Sequence, residues 1–199
     1  MSGEQRSGHV TGKHIHQFEP DYFERWWEAS RRYLLGDVVG PVTAAWAPPA
    51  TDSHGGRKRF IARVRGRLLR SLKQIGARDP LRELACAFRQ QMAFIALHPD
   101  VPQRLLFWLT QDRDRGTQRR VRLLITHYAG RLTGIIDRAK RQGLVRAEVH
   151  PRSAAYSLVG IVQAFALRAP ATPEQRGRFL NDADEAFALY RAGLTARPF

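Results

Sequence analysis

From Asp21 onward, apolar side chains recur at intervals of three and four over most of the chain, and no run alternates with period two. The first spacing lines up apolar groups on one face of a helix, whereas the second would mark a half-buried strand. The pattern therefore predicts an all-α chain. A first helix spans Asp21 to Leu35, with Phe23, Trp26, Trp27 and Leu34 on one side, Pro20 and Asp21 at its first turn and Gly36 at its end. A second runs from Arg57 to about Lys73 with Phe60, Ile61, Val64, Leu68, Leu72 and Ile75 sharing a face. A third opens at Asp79-Pro80, an N-cap followed by proline in the first position, and closes at His98-Pro99. A short helix covers about Pro102 to Gln111 and a long one Asp114 to Gln142, with Gly143 as its C′ residue and Leu144 placed to make the hydrophobic contact of that cap. Two more begin at Pro151 and at Thr172-Pro173, the latter with Thr172 and Gln175 in capping-box spacing. Met1 to Phe18 is polar and carries no helical stripe. Gly36 to Gly56, with Pro41, Pro48, Pro49 and Gly55-Gly56, reads as a long connector.

One helix breaks the amphipathic rule. Ala154 to Leu167 carries no charge on any side, whereas a helix at the edge of a monomer shows a polar face. It is expected to be covered all round, by its own bundle and by a second subunit. Ala154, Ala155, Gly160 and Ala164 permit close helix approach. A symmetric homodimer would pack this helix and the last one against their copies as a four-helix bundle, through Leu158, Ile161, Val162, Phe165, Phe187 and Tyr190. The alternative is a central helix of a monomeric bundle. At about 1.5 Å per residue the uncharged stretch Ser153–Leu167 reaches about 22 Å, short of the ~30 Å hydrocarbon slab, so no membrane partner is expected.

Charge changes the picture next. Among 199 residues, 33 Lys and Arg oppose 18 Asp and Glu, a formal surplus of +15 that favours contact with a polyanion. Arg57 to Lys73 holds eight basic residues and no acidic one, with Arg59, Arg63, Arg67, Arg70 and Lys73 opposite the apolar face. Such a basic amphipathic helix suits phosphate contact or a membrane surface, or is a solvated face in a chain where arginine largely replaces lysine. Arg113, Arg115, Arg119, Arg120 and Arg122 carry the same two readings.

Candidate chemistry is sparse. Cys86 is the one cysteine, so there is no internal disulfide, and a Cys-based zinc site lacks thiols. The first residues have no apolar core of a secretory signal, and a reducing, cytoplasmic setting is expected. His9, His14, His16 and His54 have no flanking ligand motif, so no metal or other cofactor is expected. No Gly-rich phosphate loop follows a strand and no nucleophile–base pair stands out, which argues against an enzyme.

Asp79 to Leu167 resembles the C-terminal ligand-binding and dimerisation domain of the TetR family of transcriptional regulators. The features are the Asp-Pro opening, the His98-Pro99 helix end, the Arg-rich helix closing as Ala139-Lys140-Arg141-Gln142-Gly143-Leu144-Val145, Pro151 before Ala154-Ala155, and Leu158 to Ala164. They cover a little under half of the chain. Upstream, Gly8 to Phe18 keeps Gly8, Gly12, His16 and Phe18 at the spacing with which that family ends its helix-turn-helix, but Ile15 stands at the family's tyrosine and Glu19-Pro20-Asp21 replaces its Ser-Lys. Seven residues precede Gly8, where the module's first two helices need about 35. Either the coding start lies further upstream or the chain is a degenerate relative.

The resemblance implies a division into a head remnant and first helix over residues 1–35, the connector over 36–56, and a ligand-binding and dimerisation domain over 57–195. It implies DNA contact through Thr11, Lys13, His14 and His16, weak or non-specific for want of supporting helices. It implies a small, lipophilic effector held by Phe88, Met92, Ile95, Trp108, His127, Tyr128 and Gln163. Each apolar member could equally be plain core and His127 a satisfied core histidine, while the Gln163 amide needs a partner that a ligand, water or second subunit could supply. The alternative to a regulator is a small-molecule-binding or protein-interaction module without DNA function.

Overall fold

A computed structural model describes residues 53–72 and 79–195. Among these residues the chain is all-helical, with no strand. The helices are α1 (His54–Ser71), α2 (Pro80–Leu97), α3 (Asp100–Thr110), α4 (Arg115–Arg141), α5 (Pro151–Leu167) and α6 (Arg176–Leu194), the last preceded by a 3-10 turn, Pro173–Gln175. The long α4 is the axis of the bundle: α1, α2, α3 and α5 all pack on it, while α6 lies against α2 and α5. Leu132, Ile136 and Ala139 of α4, Ile95 of α2 and Ala155 of α5 sit at the fully enclosed centre.

Local signals explain most of the helix ends. Asp79 caps α2 by accepting from the N–H groups of Leu81 and Arg82 at 2.9 and 3.2 Å, which satisfies two of the donors a helix start leaves open. At the far end of α4, Gly143 takes φ +71°. Gly143 N–H donates to Lys140 O and Leu144 N–H to Ala139 O, both at 3.0 Å, the pair of bonds that defines a Schellman end. Leu144, the residue expected to make the hydrophobic contact of that cap, is 37% exposed, and its neighbour Val145 is the buried one at 3%.

Two other boundaries differ from the pattern-based expectation. The connector ends earlier than Gly56: α1 begins at His54, because the Ser53 hydroxyl accepts from Gly56 N–H at 3.2 Å and nucleates the turn despite two glycines. Before α6, the expected Thr172–Gln175 box is not closed, since the Thr172 side chain makes no capping bond. The Gln175 side chain accepts from Ala171 N–H at 3.0 Å, and the first turn is 3-10.

Polar ties then fix the helices to one another. Arg89 of α2 pairs with Asp184 of α6 at 3.1 Å. The Tyr190 hydroxyl of α6 donates to Ala154 O at the start of α5 at 2.9 Å. Arg138 of α4 donates to the buried carboxylate of Glu83 in α2. The N-terminal ends of α1 and α4 are latched together. Asp114, the N-cap of α4, accepts from Gly116 N–H and the Thr117 hydroxyl, both at 2.8 Å, and bonds His54 Nδ1 at 2.9 Å, while Asp112 accepts from Arg57. The Thr117 hydroxyl and the His54 ring hold the Asp114 carboxyl well below the usual carboxylate range. Residues 1–52, with the predicted Asp21–Leu35 helix and most of the connector, lie outside the described residues, as do Lys73 and Ile75.

Candidate ligand cavity

Five helices leave a partly open cavity of about 90 Å³ between them. Val64 and Leu68 of α1 form one wall, Phe94 and Ile95 of α2 another, and Leu105, Leu106 and Leu109 of α3 a third. Val121, Leu124, Ile125 and Tyr128 of α4 and Val159, Val162 and Ala166 of α5 close it. The spacing of these residues is why they meet: Val121, Leu124, Ile125 and Tyr128 occupy successive i, i+3, i+4 and i+7 positions on one face of α4.

Among the described residues, no charged side chain lines the cavity. Its polar rim is Gln91, Gln163 and the Tyr128 hydroxyl. None of the three side chains makes a hydrogen bond to another described residue, although Tyr128 is buried and both glutamines are half-buried. Burial pushes the Tyr128 phenol up from its ordinary range, so it stays a neutral donor at any ordinary pH. An apolar chamber with a few unused hydrogen-bonding tips is the usual chemistry of a small-molecule site.

The structure brings together Ile95, Tyr128 and Gln163 of the proposed ligand set and separates the others from the cavity. Phe88 and Met92 lie on the core side of α2, with Phe88 stacked on Phe187 at 5.0 Å. Trp108 is sealed edge-on against Phe60 at 5.6 Å, with the Arg57 guanidinium 5.8 Å from its centroid. His127 is neither ligand-facing nor a core histidine. It is exposed on the outer side of α4, because one residue before Tyr128 is a 100° turn away. Periodicity could have found the missing lining: Val121, Leu124 and Ile125 stand seven, four and three residues before Tyr128, and Val159 and Ala166 flank Gln163 at four and three.

The interface set is also redistributed. Leu158, Phe165 and Phe187 are buried within the single protomer, Phe165 edge-on to Phe179 at 5.4 Å. Ile161, Val162 and Tyr190 are half-buried, and Val162 faces the cavity. Nor is α5 covered all round. Its outward stripe is Tyr156, Gly160, Ala164 and Leu167, and α6 exposes Ala188, Leu189 and Ala192. Thr11, Lys13, His14 and His16 lie outside the described residues. Among those described, no three His, Cys, Asp or Glu side chains gather into a possible metal site, and no helix is long and apolar enough to cross a membrane. Cys86 is buried.

No known family model matches the chain, nor does any curated protein or solved structure.

Proposed function

We propose that this chain is a homodimeric helical sensor of a small, uncharged, largely apolar molecule, a regulator of the TetR type whose contact with DNA is weak or non-specific. The observation that carries the reading is the cavity: an apolar chamber between five helices, lined by no charged side chain among the described residues, with three hydrogen-bonding groups that no described protein residue uses. A charged ligand would lose its hydration there without gaining an opposite charge. A neutral one loses little and gains a hydrogen bond from Tyr128, Gln91 or Gln163. The volume, below the ~150 Å³ of an engineered cavity that takes up benzene, suits a ring-sized or shorter molecule entering from the open side. Because α1 supplies one wall and is latched at its start to the α3–α4 turn, an occupant would bear on that helix and on the latch.

The dimer part of the proposal draws on the outward stripes of α5 and α6. Leu167 and Leu189 are 71% and 76% exposed beside glycine and alanine positions, a surface on which two helices can approach closely. The reading is tested with benzene, phenol and benzoate by thermal shift and calorimetry. Benzene and phenol should raise the melting temperature and benzoate should not. Tyr128→Phe should weaken phenol by about fivefold and leave benzene unchanged, since one hydrogen bond is worth about 1 kcal/mol. Benzoate binding as tightly as phenol, or no shift with either neutral probe, would overturn it.

A further inference from the structure

The latched ends of α1 and α4 carry a second surface. Six cations, Lys58 and Arg59 of α1, Arg113 of the turn and Arg115, Arg119 and Arg122 of α4, are exposed there, and none makes an ion pair with a described residue. Since His54–Asp114 and Arg57–Asp112 hold the two helix starts together, all six fall within about 12 Å, measured along the helix axes, of one junction. The two acidic residues of the junction are already engaged, Asp114 with Gly116, Thr117 and His54, and Asp112 with Arg57. Both helices also present their N-terminal, electropositive ends at this junction. Elsewhere the same Arg-rich chain neutralises several of its arginines: Arg89 with Asp184, Arg138 with Glu83, Arg141 with Asp137 and Arg168 with Asp182. Arg131, Arg178 and Arg191 are likewise exposed without an ion pair to a described residue, but they are spread over α4 and the two ends of α6, whereas the six cations gather at one junction.

We infer that the joined N-terminal ends of α1 and α4 form a surface for the phosphate backbone of double-stranded nucleic acid, bound without regard to sequence. Guanidinium groups match phosphate oxygens in geometry, and a row of them on two helix starts displaces the counterions of a duplex. An anionic membrane fits less well. A helix that lies in a lipid interface inserts a whole apolar face, and that of α1 (Phe60, Ile61, Val64, Leu68) is already inside the bundle. Phe107 and Leu123 are the large exposed apolar side chains of α3 and α4, fewer than such an apolar face supplies. The surface is independent of the cavity and stands whether or not a small molecule binds there.

The test uses the full chain and a random-sequence 30-base-pair duplex, followed by fluorescence anisotropy over a salt titration. Arg115→Gln, Arg119→Gln and Arg122→Gln combined should weaken binding at least tenfold at 0.1 M salt and lower the slope of log K against log salt by about two to three. Lys58→Gln with Arg59→Gln, on the other helix, should lower it by about two. A control with the same charge change as the triple variant, Arg131→Gln, Arg178→Gln and Arg191→Gln, should change either quantity far less. Undetectable duplex binding, a triple variant that binds like the wild type, or a control that loses as much as the triple variant would each overturn the inference. So would tighter binding to phosphatidylserine vesicles than to duplex with the same sensitivity to the triple variant.

Discussion

Helices α1 and α5 divide their surfaces in opposite ways. Each buries an apolar stripe in the protomer: Phe60, Ile61, Val64 and Leu68 on α1, and Ala155, Leu158, Val159 and Phe165 on α5. They differ on the outward side. There α1 presents Lys58, Arg59, Arg63 and Arg70, whereas α5 presents Tyr156, Gly160, Ala164 and Leu167. Water solvates the first surface, and a second copy of it would be repelled. The second surface gains by being covered, and its small residues let a like helix approach closely. Inner packing therefore does not reveal which helix meets a partner. That is decided by the third of the circumference the protomer leaves bare.

The strongest way to sharpen the contrast is to cut each helix on its inner and outer sides. Phe60→Ala on α1 empties a fully buried site beside Trp108 and should lower unfolding free energy by about 3–5 kcal/mol in a denaturant titration. Leu167→Glu with Leu189→Glu touches only exposed side chains. It should leave monomer stability within about 0.5 kcal/mol and weaken self-association at least about 100-fold, some 2.7 kcal/mol, in sedimentation equilibrium. A wild-type chain that sediments as a monomer would remove α5 as an interface. A smaller effect is expected at the turn that aims α5. Gly143→Ala, forced to keep φ +71°, should cost about 1 kcal/mol.

The smallest expected effect is a pH dependence at the other end of α1. His98, the buried C-cap of α2, lies with its ring 5.0 Å from Phe94, whose ring carries the Arg67 guanidinium at 4.4 Å. Burial lowers its pKa, Arg67 and Arg176 lower it further, and Asp100 opposes them. Because the folded value lies below the unfolded ~6.5, the unfolded chain binds more protons in that window. This contribution to stability is complete above about pH 6.5 and is lost as pH falls from there through the folded pKa. His98→Asn should flatten the dependence of the melting temperature on pH across that range.

Much of this was readable from sequence. The Asp79-Pro80 start, the Gly143 end and the apolar stripes of α1, α2 and α4 are local: each follows from a few neighbouring residues and the 3.6-residue period. Tyr128, Ile95 and Gln163 could be nominated for the cavity because their types suit one. Phe88, Met92 and Trp108 could not be told apart from cavity residues, since an apolar side chain facing inward reads the same whether it meets Phe187, Phe60 or an empty space. The His127 error came from its neighbour, placed on the same side as Tyr128 when the helix turns 100° between them.

Residue order alone determined that the chain is helical, where most helices begin and end, and that it carries an unusual excess of positive charge. These are properties of short segments and of composition, and need no knowledge of what lies opposite. The crossing of five helices decided the rest: which inward positions leave a cavity, which side of α5 stays bare, and which arginines find a carboxylate. Those depend on distances between residues far apart along the chain. Arg57 and Asp112, or Arg138 and Glu83, are neighbours only because α4 holds their helices together.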